Sequence, residues 1–411
     1  MSFLYNIGIN LTHFGLKCLS PFNDKIKSGV RGRADTFNTL KKHLNTENKT
    51  LWFHCASLGE YEQGLPVFKA LRKHYKDHKI VLSFFSPSGY EIRKNSPIAD
   101  LVVYLPLDTK KNAKRFLNIV NPELTIFVKY DIWPHFLYEI KTRNLRAILI
   151  SASFRANQSY FKFYGKQLRR ALFAFEHIFT QNDVSKKLLH SIGYNHATVS
   201  GDTRFDRVYS QLELNNTLSF IDVFKNNELC VVAGSTWPEG EALFVDFINA
   251  NRPKNVKFII APHNIKPNQI NSLKEKLLVE TVLFSEKDDQ PLREARVFIV
   301  DTIGILSKIY SYADIAYVGG AVGNTGLHNT LEPAVFGIPI IIGSNHTKFP
   351  EAQAMIDKGG LFAISSQNEF DFILNKLIHK GDFRRESGSK SSEYIKENRG
   401  AVIQILDYLR I

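Results

Sequence analysis

The sequence predicts an α/β protein built from two doubly wound domains, each on a parallel sheet, preceded by an amphipathic N-terminal helix. Three observations predict it. From residue 51 onward short apolar runs alternate with helical patterns; the alternation lapses in a polar stretch near 206–225 and then restarts. The two halves also open alike: WFHCAS (52–57) leads into Glu60 and a helix, and CVVAGS (230–235) leads into Glu239 and a helix. Repeated βα units imply a parallel sheet covered on both faces, and two such units set face to face leave a ligand cleft at the carboxyl ends of their strands. A chain of 411 residues has room for two cores. The domains are read as 1–33, an amphipathic membrane anchor with a basic linker, then 34–210 and 211–411.

At the N-terminus, Phe3, Leu4, Ile7, Leu11, Phe14 and Cys18 recur at three- and four-residue steps, which makes one apolar helix face. The segment is too short and too often interrupted to span a bilayer. No small-residue cleavage site closes it. Lys17, Lys25, Lys27, Arg31 and Arg33 follow with only Asp24 opposing, a pattern that suits an interfacial anchor with the body of the protein in the cytoplasm. A helix that simply packs on the protein is the alternative.

Strands are expected at 51–55, 80–85, 101–104, 124–128, 147–150, 177–180 and 197–199, with helices at 61–74, 111–121, 134–143, 160–175 and 184–192 between them. The second half gives strands at 229–233, 257–261, 281–284, 297–300, 315–318 and 338–342. Its helices are expected at 239–250, 268–278, 305–311, 351–358 and 370–379, with a closing helix over 391–409. A further helix is expected from about Asn329, after the loop carrying Gly319, Gly320, Gly323 and Gly326. Strand, glycine loop and helix start together form a unit that can hold an anion.

Charge divides along the same boundary. Residues 1–210 carry 32 Lys and Arg against 16 Asp and Glu, a net +16, whereas 211–411 carry 21 against 24, a net −3. A basic first half points to an anionic partner there. Cys55 and Cys230 lie in apolar runs and read as buried, reduced thiols; neither they nor Cys18 have metal-ligand spacing. No His, Cys or carboxylate cluster has such spacing either, and no phosphate-loop lysine or nucleophile elbow is present.

Several motifs stand where strands end. Ser57-x-x-Glu60 ahead of an apolar helix has the form of a capping box; the same Glu60 carboxylate, placed in a cleft, is a general base for an alcohol nucleophile. Asp131, at the end of a strand and the start of a helix, is either a charge favoured by the helix dipole or a cleft residue. Arg204, in Gly201-x-x-Arg204-Phe205-Asp206, is either solvated or able to neutralise a phosphate. Pro262 and His263, then Ile303, Gly304 and Ile305, are turn residues in reach of a nucleotide. Asn329, Thr330, Leu331 and Glu332 open the expected helix, with Glu332 able to accept from two ribose hydroxyls.

Taken in order, Ser57-x-Gly59-Glu60, Asp131-x-Trp133-Pro134, Gly201-x-x-Arg204-Phe205-Asp206, Ala261-Pro262-His263, the 313–320 strand and His328-Asn329-x-x-Glu332-Pro333-Ala334 resemble the 3-deoxy-D-manno-oct-2-ulosonic acid (Kdo) transferases. The resemblance covers essentially the whole chain, including Gly32-Arg33 after the anchor. It implies a GT-B fold whose first domain binds the acceptor and whose second binds CMP-Kdo, with no metal and no cofactor. The acceptor it implies is the phosphorylated lipid A precursor (lipid IVA), at the cytoplasmic face of the inner membrane, with no nucleic-acid partner. It further implies Glu60 as catalytic base, with Asp131 and Arg204 in transition-state stabilisation. Pro262, His263, Ile303, Gly304, Ile305 and the run Asn329 to Glu332 would form the donor site. Asp131 and Arg204 stand where the family commonly has Glu and Lys, His263 where Arg is common, and Ile305 where Glu is common. The competing readings are another GT-B transferase or a sugar-nucleotide epimerase, and a non-enzymatic basic protein on membranes.

Overall fold

A computed structural model of the chain describes residues 3–251 and 255–411. Met1 and Ser2 of the expected anchor lie outside the described residues, as do the side chains of Phe3 and Leu4. The chain forms two compact units, Met1–Arg207 with Arg399–Ile411, and Val208–Asn398. The last residues, expected in the second domain, thus belong to the first unit.

The first unit carries β1 (Thr50–Cys55), β2 (Lys79–Phe84), β3 (Leu101–Tyr104), β4 (Leu124–Val128), β5 (Arg146–Ala152), β6 (His177–Thr180) and β7 (Ala197–Val199). Among the described residues these form one parallel sheet in the order β3-β2-β1-β4-β5-β6-β7. The order reverses between β1 and β4, where the chain leaves the two strands in opposite directions and a crevice opens at their carboxyl ends. Both faces are apolar: Leu51, Phe53 and Cys55 pack on one side, while Trp52 packs on the other against Phe116, Phe127 and Phe136. Burial on both faces is why these strands read as near-continuous apolar runs.

The second unit carries β8 (Leu229–Thr236), β9 (Val256–Pro262), β10 (Thr281–Leu283), β11 (Val297–Ile299), β12 (Ile315–Val318), β13 (Ile340–Gly343) and β14 (Leu361–Ile364), in the order β10-β11-β9-β8-β12-β13-β14. Its reversal falls between β8 and β12. Strand β14 was not expected. It is four residues long, at the sheet edge, with only Leu361 and Ile364 buried, and so gives little apolar signal.

The N-terminal helix runs Phe3–Leu19 and leaves Ile7, Leu11 and Phe14 exposed. The expected basic linker is instead largely a helix, Asp24–His43, capped by the Asn23 side chain, which accepts from the backbone N–H groups of Lys25 and Ile26. Its buried face is Gly29, Thr36, Phe37 and Leu40. Other corrections have local causes. The expected 160–175 helix is two short 3-10 turns followed by Lys166–Leu172; a Cβ on Gly165 would meet the Ser159 carbonyl oxygen at 1.5 Å, so the chain doubles back there. The polar join holds two helices, Thr203–Tyr209 and Ser219–Lys225.

The single closing helix is two, Gly381–Asn398 and Ala401–Leu409, broken at Gly400 with φ 112°. Asp206 holds that break: its Oδ1 accepts from the Gly400 N–H at 2.8 Å. Ile405 and Leu409 then pack into the first unit's core. Among the described residues no helix is long and apolar enough to cross a membrane.

Candidate active site

In the first unit, β1 ends at Cys55 and the chain turns through Ser57 into the helix Leu58–His74, which places Glu60 in its first turn, half-buried. The expected capping box does not form. Ser57 makes no side-chain bond to the helix backbone; its hydroxyl donates to the Glu60 carboxylate. Glu60 is therefore held by a hydroxyl at the carboxyl edge of the sheet, beside the reversal point. Both Glu60 and Asp131 lie close enough to the buried Cys55 thiol to act on it: burial pushes that thiol well up, with Glu60 and then Asp131 adding to the effect.

Asp131 follows β4 at a turn whose first residue, Lys129, is left-handed at φ 71°, a conformation that costs a non-glycine residue roughly 1 kcal/mol or more. The helix after it, Pro134–Thr142, takes its N-terminal acceptor from elsewhere: buried Asp108 accepts from the His135 and Phe136 N–H groups and from the Tyr5 hydroxyl at 2.6 Å. Burial raises the Asp108 carboxyl to about 6, and burial lowers His135 to about 4. Asp131 is thus not needed as the helix cap.

Its neighbour is His54, fully buried on β1, which no motif or spacing in the sequence marks. His54 Nε2 stands 2.6 Å from Asp131 Oδ2 and 2.8 Å from Trp133 Nε1. One ring nitrogen cannot serve both. The indole donates to Nε2, which places the imidazole proton on Nδ1, donating to Ser83 Oγ at 2.8 Å; Ser83 also accepts from Trp52 Nε1 at 2.8 Å. Asp131 Oδ2 is left buried without a donor. At 2.6 Å the carboxylate oxygen and the imidazole nitrogen leave room for a shared proton and for no other group.

Arg204 is reached from β5 and the helix Leu58–His74. Ser151, left-handed at φ 51° in the irregular end of β5, bonds the Thr203 hydroxyl at 2.7 Å, and Thr203 donates to the Gln63 carbonyl at 2.5 Å, one turn beyond Glu60. Arg204 Nε donates to Asp202 Oδ2 at 2.8 Å. Asp206, in the same motif, is structural, as its bond to Gly400 shows.

In the second unit, β8 ends in an irregularity at Ser235, φ 51°, and Trp237 follows. Trp237 stacks on His263 at 4.8 Å and donates through Nε1 to His328 Nε2 at 3.0 Å; the two imidazoles are 4.4 Å apart. Burial first and His263 second lower His328 to about 4, so it stays the neutral acceptor that Trp237 needs. Trp237 is unforeseen at the candidate site, and His328, though part of the 328–334 motif, carries no assigned role in the sequence. The Trp-Pro-Glu that opens the 238–251 helix was the available signal.

Pro262 closes β9 and delivers His263 to this stack. Ile303 is exposed and Gly304 has φ 91°, in the loop before a short helix, Leu306–Ile309, whose Ser307 donates to Glu332 Oε2 at 3.1 Å. Asn329 donates to Glu332 Oε1 at 3.1 Å and accepts from the Leu331 N–H. The segments at 263, 303–305 and 328–332 are therefore drawn together at one edge of the second sheet. Ile305 offers no charge there, and Thr330 and Leu331 bury their side chains, leaving only backbone to face a ligand. The helix expected from Asn329 is one turn, Leu331–Ala334, ended by Gly337 at φ 73°. That is too short to bring a macrodipole to bear, so the anion argument made from a helix start falls away. Among the described residues no three His, Cys, Asp or Glu side chains gather as a metal set.

Residues 31–207 match the sequence model of a family described as 3-deoxy-D-manno-octulosonic-acid transferase (kdotransferase). The chain is 27% identical over 373 residues to a 3-deoxy-D-manno-octulosonic acid transferase of Haemophilus influenzae, covering 88% of this chain and 86% of that one. It is 28% identical over 375 residues to one from Aquifex aeolicus, covering 90% and 96%. Among solved structures it resembles the UDP-GlcNAc 2-epimerase of Neisseria meningitidis bound to UDP-GlcNAc, with a TM-score of 0.63, 15% identity, and coverage of 88% of this chain and 100% of that one. That likeness shows the fold alone, two α/β units of the GT-B type.

Proposed function

We propose, from this chain's membership of the 3-deoxy-D-manno-octulosonic acid transferase family, that it is a metal-independent inverting glycosyltransferase that moves Kdo from CMP-Kdo to the phosphorylated lipid A precursor, lipid IVA. The observation that carries the reading is Glu60, held by Ser57 at the carboxyl end of β1 with Asp131 close by, where a chemical base is useful and a helix cap is absent. In the proposed step a glucosamine 6-hydroxyl oxygen attacks the Kdo anomeric carbon from the face opposite the nucleotide. The new carbon–oxygen bond forms as the anomeric carbon–phosphate oxygen bond breaks, CMP leaves, and Glu60 accepts the hydroxyl proton. A carboxylate is a sufficient base because the alcohol loses its proton late, when the sugar centre is already cationic.

Asp131 steadies that positive charge, and Arg204 offsets negative charge on the departing phosphate. On the donor side His263 meets the phosphate, the 303–305 backbone lines the nucleotide, and Glu332 exchanges Ser307 and Asn329 for ribose hydroxyls. The exposed Ile7, Leu11 and Phe14 of the N-terminal helix, with the +16 charge of residues 1–210, support a place at the cytoplasmic face of the inner membrane, where an anionic lipid acceptor lies. A donor panel tests the reading: CMP-Kdo is expected to be consumed and UDP- and GDP-sugars left intact. Turnover of a UDP-sugar alone contradicts it.

A further inference from the structure

Between the N-terminal helix and the helix Asp24–His43 lies a cavity of about 280 Å³, lined by Leu16, Val30, Phe37, Pro106 and Leu107 among others. An engineered apolar cavity of about 150 Å³ admits a benzene molecule, so this one admits a chain segment of roughly twice that size. Its lining is apolar except at Lys17, Asn112 and Arg33. Arg33 is the informative residue. Its Nη2 donates to the Phe85 carbonyl at 2.5 Å and its guanidinium lies 4.4 Å over the Phe85 ring, while its Nε is buried without an acceptor. Phe85 in turn packs 4.7 Å from Trp133, the indole bonded to His54 beside Asp131. Arg33 is therefore two ring contacts from the candidate catalytic turn, within the same unit.

We propose that this cavity holds a fatty acyl chain of the acceptor, with Arg33 and Lys17 receiving its phosphate or ester oxygens. The proposal rests on the reading of the acceptor as an acylated phosphosugar. The occupant follows from two features together: a mostly apolar lining that also carries the cations Lys17 and Arg33 matches a ligand with an apolar chain and an anionic end, and the helix that contributes Leu16 also exposes Leu11 and Phe14, so a lipid surface receiving that face brings acyl chains beside the cavity.

Calorimetry of the full chain with dodecyl phosphate, kept below its micelle threshold, tests this directly. Saturable one-to-one binding is expected, at least tenfold weaker in Val30→Trp, with inorganic phosphate alone not binding. Absence of saturable binding, equal binding by Val30→Trp, or equal binding of inorganic phosphate overturns the proposal. Should Val30→Trp fail to fold, Ala34→Trp, at an exposed position of the same lining, gives the same comparison. In the transfer assay, either variant is expected to raise KM at least tenfold for the acylated acceptor and leave the deacylated phosphodisaccharide unaffected. A wild-type protein that transfers Kdo to neither acceptor defeats the functional reading, while the dodecyl phosphate result still decides the cavity.

Discussion

His54 shows how a buried residue can matter more than its sequence context suggests. Its ring sits between Ser83, Trp133 and Asp131, so replacing it strands an indole N–H and a hydroxyl and removes the group that faces the carboxylate. His54→Phe is expected to cost about 2–4 kcal/mol of stability, read as a shift in the urea midpoint; an unchanged midpoint contradicts the network. Nothing in the sequence marked this residue, because a single histidine in an apolar strand has no periodicity or spacing to betray it.

Glu60 was legible as a chemically loaded position, but whether it capped a helix depended on where the Ser57 hydroxyl points, which only the fold reveals. His328 carries a pH signature. Its folded pKa, about 4, lies below the ordinary imidazole value of 6.5, so between those limits the folded state binds fewer protons than the unfolded chain. The stability it contributes is present above pH 6.5 and is lost as pH falls toward 4. The melting temperature is expected to fall over that window in the wild type and to fall less in His328→Asn; identical profiles contradict the burial of a neutral imidazole there.

At the scale of elements, the strands were readable where both faces are buried, as in β1, β4 and β12, whose apolar runs are continuous. The helix Asp24–His43 was not, because its buried face is carried partly by Gly29 and Thr36, which add no hydrophobic signal, under a crowd of lysines and arginines. Asn23 ahead of Asp24 was the sign available.

The closing helix was legible as helix, but its destination was not. Asp206 and Gly400, far apart in sequence, fix it to the first unit. Deleting 399–411 withdraws Ile405 and Leu409 from that core and is expected to destabilise it by about 3–6 kcal/mol, at about 1.5–3 kcal/mol for each buried side chain. A denaturation curve superposable on that of the intact chain contradicts the assignment.

At the scale of the whole molecule, two parallel sheets each bring their candidate residues to the carboxyl ends of their strands, and this was legible from the repeated βα pattern and the matching openings of the two halves. The individual contacts of the candidate residues were less so. The run Asn329 to Glu332 was singled out as a helix start and proves to be one turn, and its Glu332 is already engaged by Ser307 and Asn329. The stack of Trp237, His263 and His328 joins three segments distant in sequence, a juxtaposition that no local pattern encodes.

The most direct test of the central claim is mass spectrometry of lipid IVA incubated with CMP-Kdo and either the wild-type protein or Glu60→Gln. The wild type is expected to add the mass of one or more Kdo residues. Glu60→Gln should be slowed by about 10²–10⁴-fold while still binding CMP. A wild-type product of unchanged mass, or a Glu60→Gln enzyme as fast as the wild type, would contradict the account.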